Sequence, residues 1–217
     1  MDPSNAFSRI KHPPPDPSDT REKLLQAASE VFAAQGFQAT TVREICALVD
    51  ANVAAVNYHF GDKAGLYIEV LRRSIIGDEE HPPTGSPEDL LRLFIRRMLG
   101  KTCLGEHASL HFRIMAHEMA QPTPALSQVI AGVIGPKFQQ LRGILGAILH
   151  LAPDHPTTVL CAHSLIGQIM HYANAEPVIA ILSPDLRQNP DRLERVAKHI
   201  SEFTLHALRG LAQGESL

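Results

Sequence analysis

The amino-acid sequence predicts an all-α protein, on three observations. Apolar residues recur at helical spacing in segment after segment, and no stretch of the 217 residues shows the alternation of a half-buried strand. One helix-opening signal, a capping residue followed by proline, repeats at Ser86-Pro87, Thr123-Pro124, His155-Pro156 and Asn189-Pro190. Finally, Thr41 to Lys63, TVREICALVDANVAAVNYHFGDK, reads as two short helices joined by a tight turn and closed by an aromatic cluster, the layout of a helix-turn-helix.

The elements follow in order. Residues 1–18 hold five prolines and read as an arm without regular structure, in which Arg9, Lys11 and His12 are the cations available to a groove. A first helix runs from about Asp19 to Gln35, with Asp19 and Glu22 as an N-cap pair, Leu24, Leu25, Ala28, Val31 and Phe32 on one face, and Gly36 as its stop. Thr41 to Glu44 forms a capping box for a second helix whose inner face is Ile45 and Leu48. It ends near Val49-Asp50, where Asp tolerates the left-handed turn. Asn52 caps a third helix to about His59, with Val56 inward and Val53, Ala54, Ala55, Asn57 and Tyr58 outward. Gly61-Asp62 resets the chain for a fourth helix from Lys63 to Ile76, and the run Gly77 to Gly85 cannot propagate it.

In the body, helices are expected from Pro87 to about Lys101, Glu106 to Met119, Pro124 toward His150, Pro156 to about Asn174, and Pro190 to about Leu211. Gly135-Pro136 should kink or break the long one. The expected division is an arm at 1–18, a DNA-binding head at 19–67 and a helical body at 68–217.

Composition bounds the function. Hydrophobic residues make up 44% and charged residues 20%, with mean hydropathy near zero, as in a globular chain with a real core. Cys46, Cys103 and Cys161 are far apart and odd in number, which suits a reducing cytosol, and the cytoplasm is the expected location. No run approaches 18 apolar residues, so no membrane partner is expected, and the N-terminus has no apolar signal segment. Net charge is −3, and through Arg73 there are eight Lys and Arg against nine Asp and Glu. A nonspecific DNA binder should be basic, so a DNA-binding head here must rely on a few placed cations and on helix N-termini. G-x-S-x-G, phosphate-loop and H-E-x-x-H motifs are missing, so an enzyme is not expected. His107 and His111 share a helix face, as do His163 and His171 roughly, but no Cys or carboxylate joins them at a diagnostic spacing. Neither a metal nor a cofactor is expected.

Through Thr40-Thr41, Ile45, Val49-Asp50-Ala51, Tyr58-His59-Phe60, Lys63 and Leu66 the chain resembles the TetR family of transcriptional repressors over about residues 20–67. Asp50 stands where that family usually has Gly, and Asn52 where it usually has Ser or Thr. Residues 52–60 and Glu118 to Ala125 resemble the CecR-like subgroup. The resemblance implies about nine helices, a dimer and an effector pocket in the body. It also implies base-edge contacts from Val53, Ala54, Ala55 and Asn57.

On chemistry, Asn57 is the best polar reader, since Asn pairs bidentately with adenine, and the three small apolar residues suit thymine methyls. Thr41, Arg43, Tyr58, His59 and Lys63 suit phosphates. The body mixes apolar residues with isolated polar ones such as Glu118, His171 and Tyr172, and Phe112, Met115, Met119 and Gln168 are the expected pocket residues. The last two long helices carry Leu160, Ile166, Ile169, Leu193, Val196, Ile200, Phe203, Leu205 and Leu208, more apolar surface than one buried face needs, as a homodimer would use. The expected function is a dimeric repressor on a palindromic operator, released by a small hydrophobic effector. The alternative is a small-molecule binding or sequestering module with weak or lost DNA binding, which the near-neutral head favours.

Overall fold

Twelve α-helical segments and no strand occur among the described residues of the computed structural model, which are 17–76, 84–100 and 108–214. The expected arm lies outside them, except that Pro17 and Ser18 already belong to α1 (Pro17–Ala39). Starting there, α1 places Asp19 in its first turn, where the carboxylate accepts from Lys23 Nζ at 2.6 Å instead of capping. Glu22 pairs with Arg73 of α4. The expected face of Leu24, Leu25, Ala28, Val31 and Phe32 is buried. Gly36, at φ 75° and ψ 177°, breaks the helical path before a last turn to Ala39. The His117 ring fills the space above it: a Cβ on Gly36 would sit 3.1 Å from Nδ1.

Thr41 caps α2 (Val42–Leu48), its Oγ1 accepting the Glu44 N–H at 3.2 Å. The reciprocal half of the capping box is not made, because the Glu44 carboxylate accepts from Gln35 Nε2 at 2.8 Å. Ile45 is buried but Leu48 is 62% exposed, against expectation. The chain leaves the helix at Leu48, so the inner face is completed by Cys46 and Val49. Asp50 takes the left-handed turn at φ 50°. Asn52 Oδ1 accepts the Ala54 N–H at 2.9 Å and opens α3 (Val53–Phe60). Asp62 Oδ1 then caps α4 (Lys63–Ile76) by accepting the Gly65 N–H at 2.8 Å. A Cβ on Gly65 would lie 2.0 Å from the Phe60 carbonyl oxygen, so the α3–α4 junction needs glycine there.

Ser86 caps α5 (Pro87–Leu99) by accepting the Asp89 N–H at 3.2 Å. The next described helix is α6 (Ala108–Ala120), its expected start at Glu106 lying outside the described residues. α7 (Pro124–Val129), a π-helical segment (Ile130–Ile134) and α8 (Gly135–Leu149) form one continuous rod. The break expected at Gly135-Pro136 takes the form of the π turn, in which the Gly135 N–H reaches back to the Ile130 carbonyl just before the proline that has no N–H to give. His155 Nδ1 accepts the Thr157 N–H at 3.2 Å and opens α9 (Pro156–Asn174).

Two short helices that sequence reading missed follow, α10 (Glu176–Leu182) and α11 (Pro184–Gln188). The last helix, α12 (Arg192–Ala212), begins later than expected. Asn189 Oδ1 accepts the Asp191 N–H at 2.8 Å, so Asn189-Pro190 shapes a turn rather than a first helical turn. With the rod counted as one and α10 and α11 set aside, the implied nine helices remain.

Buried side chains form two clusters. The first joins α1–α4 to α6, α7 and the π segment, around Phe32, Tyr67, Leu71 and Ile114. The second joins α5, α8, α9 and α12, around Leu91, Ile95, Leu145, Leu165 and Leu205. Arg192, at the start of α12, is buried and pairs bidentately with Glu176 of α10 at 3.1 and 2.6 Å. The Arg192 hydrogen bonds hold the Glu176 carboxyl below its ordinary range, against a smaller opposing effect of burial.

Two outcomes are expected. Gly36→Ala forces φ 75° on an L residue and crowds His117, and should lower stability by about 1–3 kcal/mol in urea unfolding. Adding His117→Ala should restore the steric part only. Glu176→Ala leaves a buried guanidinium unpaired and should cost on the order of 3 kcal/mol at pH 7. Because the folded carboxyl sits low, the wild-type advantage should persist above a pH of about 4.3, the free Glu value, and vanish as pH falls through the lower folded value. Paired melting curves at pH 7 and pH 3 check this.

Candidate nucleic-acid interface

The outer edge of α3 is built from its caps inward. Asn52 holds the N-terminus, and Gly61 closes the C-terminus at φ 82° with its N–H on the Asn57 carbonyl. Val56 is fully buried and fixes the helix roll. Val53, Ala54, Asn57 and Tyr58 are then exposed, Tyr58 at 81%. Ala55 differs from expectation: it is half-buried against the first core, which leaves it less of its surface to offer. The Tyr58 ring meets His59 edge-on at 4.9 Å, and the half-buried Phe60 anchors the helix end in the core.

The flanking cations are placed unequally. Arg21 and Arg72 bond Glu69 at 3.2 and 3.1 Å, Lys23 bonds Asp19, and Arg73 bonds Glu22. Much of the acidic charge of the head is thus engaged along α1 and α4. Arg43 is exposed and has no ion pair among the described residues. Lys63 lies over the Phe37 ring at 4.4 Å, and its partial burial lowers its proton affinity. Thr41 is exposed, with its hydroxyl oxygen on the Glu44 N–H. Burial pushes the Cys46 thiol up, away from thiolate chemistry.

The expected pocket residues are spread out. Met115 packs half-buried on the first core, Met119 is 64% exposed, and Gln168 is half-buried on α9 of the second cluster. Phe112 is in α6, but its side chain lies outside the described set, as do His107 and the His111 side chain. Two shallow, open grooves lie elsewhere: one between Pro87, Ile148 and Arg209, the other along Lys198, Glu202, Phe203 and His206 of α12. His163 meets the Phe138 ring at a tilt of 44°, and His171 meets Tyr172 edge-on. Among the described residues no group of three metal-ligating side chains is found, and no helix is long and apolar enough to cross a membrane.

The apolar surplus of the last helices is narrower than expected. Ile169, Val196, Ile200, Leu205 and Leu208 are buried in the second core, and Ile166 and Leu193 partly so, because α9 and α12 pack on α8 and α5. Only Leu160 and Phe203 stay exposed, at 64% and 58%. Val178, Ile181 and Leu182 of the unanticipated α10 enlarge the exposed apolar set. Sequence reading also missed three buried polar atoms, Arg142 Nε, Thr158 Oγ1 and Thr204 Oγ1, that have no hydrogen-bond partner among the described residues and that no local pattern marks.

Comparison with known proteins agrees with this geometry. Residues 24–70 match the model of bacterial regulatory proteins of the tetR family, and residues 87–211 match the C-terminal domain of the HTH-type transcriptional dual regulator CecR. The chain is 26% identical to CecR of Shigella flexneri over 208 residues, covering 89% of this chain and 93% of that protein. It is 38% identical over 210 residues to the transcriptional repressor NicS of Pseudomonas putida, covering 88% and 92%. The crystal structure of the TetR family regulator PfmR from Thermus thermophilus superposes with a TM-score of 0.58 at 20% identity, covering 85% and 97%, which bears on the fold alone. The helix-turn-helix head, the second helical core and these matches together place the chain in the TetR family of transcriptional regulators, with a C-terminal domain of the CecR type.

Proposed function

We propose that the protein is a cytoplasmic, ligand-responsive repressor that binds a palindromic operator as a two-fold dimer and leaves it when a small hydrophobic effector binds the body. The observation that supports this best is the outer edge of α3, where Val53, Ala54, Asn57 and Tyr58 are held exposed between a side-chain cap and a buried Val56. Asn57 reads a base edge, Val53, Ala54 and the accessible part of Ala55 meet thymine methyls, and Thr41, Arg43, Tyr58, His59 and Lys63 engage phosphates. Two such helices one turn of duplex apart, about 34–36 Å, fit a dimer joined through α9 and α12, with Leu160 and Phe203 at its centre. Effector contacts come from Phe112, Met115, Met119 and Gln168. Their binding shifts α4, and a coupling of about 1–3 kcal/mol gives a 5- to 150-fold change in operator affinity.

The rival reading is a module that binds or sequesters small molecules with weak or lost DNA binding. The balance of eight basic against nine acidic residues through Arg73 favours it. DNA from upstream of the gene separates the two. Wild-type protein should bind it, and Asn57→Ala and Tyr58→Ala should each lose about 1–3 kcal/mol. No binding at low salt, there or to any sequence in a random library, would establish the rival. With Arg43 as the one Arg of the reading face free of an ion pair among the described residues, the slope of log affinity against log salt should be shallow. Sedimentation should show a dimer that Leu160→Glu with Phe203→Glu splits into folded monomers. Substituting Met115, Met119 and Gln168 should abolish release by an effector found in screening while operator binding persists.

A further inference from the structure

Glu118 of α6 is 1% exposed, and the groups bonded to it are neutral. Its Oε1 accepts from the Tyr67 hydroxyl at 2.7 Å and from Thr123 Oγ1 at 2.9 Å, and its Oε2 accepts from the Thr123 N–H at 3.0 Å. Each partner stands on a different element. Tyr67 is on α4, fully buried, with Phe32 and Phe37 of α1 packed on its ring at 4.6 and 4.9 Å. Thr123 occupies the N-cap position of the rod but makes no side-chain cap bond, its hydroxyl being committed to Glu118.

The rod itself is shared. Ala125, Val129 and, within the π segment, Val133 are buried in the first core, and Leu141, Ile144, Leu145 and Leu149 in the second. Among the described residues no cation pairs with this buried carboxylate, and three donors offset the cost of burying it. Sliding α4 along the rod therefore breaks a hydrogen bond outright, which makes the junction switch between discrete arrangements and not deform smoothly. Burial and the facing carboxylate both push the Tyr67 hydroxyl up, so it stays a donor throughout the working pH range.

We propose that Glu118 is a positioning residue for DNA recognition: through Tyr67 and Thr123 it locks α4, and with it α3, to the rod that enters the second core. This rests on the regulator reading above for its DNA consequence, but not for its structural one. The test uses the full chain, with its three cysteines replaced by alanine and spin labels at Gln38 of α1 and Ala147 of α8, both exposed. Dilution with unlabelled protein isolates the distance within one chain. Wild type and Glu118→Gln, which keeps an acceptor oxygen, should give one narrow distance distribution. Glu118→Leu and Tyr67→Phe should broaden it.

In parallel, an operator recovered from a random library is compared with its single half-site. Glu118→Leu and Tyr67→Phe should weaken the full operator about tenfold and the half-site less than about twofold, because only the full operator demands a fixed head orientation. Should Glu118→Leu fail to fold, Tyr67→Phe, which removes one hydroxyl, carries the test alone. Narrow distances in every variant, or equal losses on full and half sites, would overturn the proposal. Broadened distances in a protein whose wild type binds no DNA would keep the lock and defeat the regulator reading.

Discussion

The position of α3 depends on one buried seam, where α1, α4 and α6 meet around Phe32, Tyr67 and Ile114. A three-helix head of this size has too little apolar surface to hold its own geometry firmly. Here its core continues into α6 and α7, so burial of Ile114, Ala125 and Val129 stabilises the same cluster that seats Val56 under α3. At about 25 cal/mol per Å² of apolar surface, one such side chain contributes roughly 1.5–3 kcal/mol, more than any exposed ion pair on the head. Close approach along the seam is what Gly36 and Gly65 permit, one under the His117 ring and one against the Phe60 carbonyl.

Charge plays a different part. The surface pairs among Arg21, Glu69, Arg72, Arg73 and Glu22 are exposed and individually worth little. Their effect is distribution: acidic groups are occupied along α1 and α4, while Arg43 stays available beside α3. A head with nearly balanced charge can thus present a locally positive edge, and under the proposed function sequence-specific contacts rather than bulk charge would carry its affinity. In the body the corresponding device is the Arg192–Glu176 pair, which fastens the short α10 to the start of α12 and leaves Ile181 and Leu182 facing outward.

Much of this was legible in the sequence because it is local. Thr41, Asn52 and Ser86 cap as their residue types require, and Asp50 takes the left-handed turn that the missing glycine suggested. The all-helical class and the family follow from the same local signals. Leu48 lies at helical spacing from Ile45, but it is the last residue of α2, where the chain turns away and leaves its side chain exposed. The short α11 carries the same proline signal, at Ser183-Pro184, and α10 has Pro177 only at its second position behind Ala175, which offers no side-chain cap; their brevity hid both inside what looked like a connection to Asn189. Glu118 was visible as an isolated polar residue and as the start of the Glu118–Ala125 resemblance, but not its bond to Tyr67, which is 51 positions away where no spacing rule reaches. The pocket residues rest on composition, and composition does not say which side chains converge.

Native-state hydrogen exchange on the full chain tests the central claim, that the helix-turn-helix head and the α6–α7 segment share one core. Cooperative units of a structure open with their own free energies. The account predicts that the slowest amides of α1 and α4 and those of α6 and α7 respond to denaturant along one common isotherm, distinct from that of α5, α9 and α12. If α6 and α7 instead exchange with the α5, α9 and α12 unit while α1–α4 opens alone, the head is an independent module and the account is wrong.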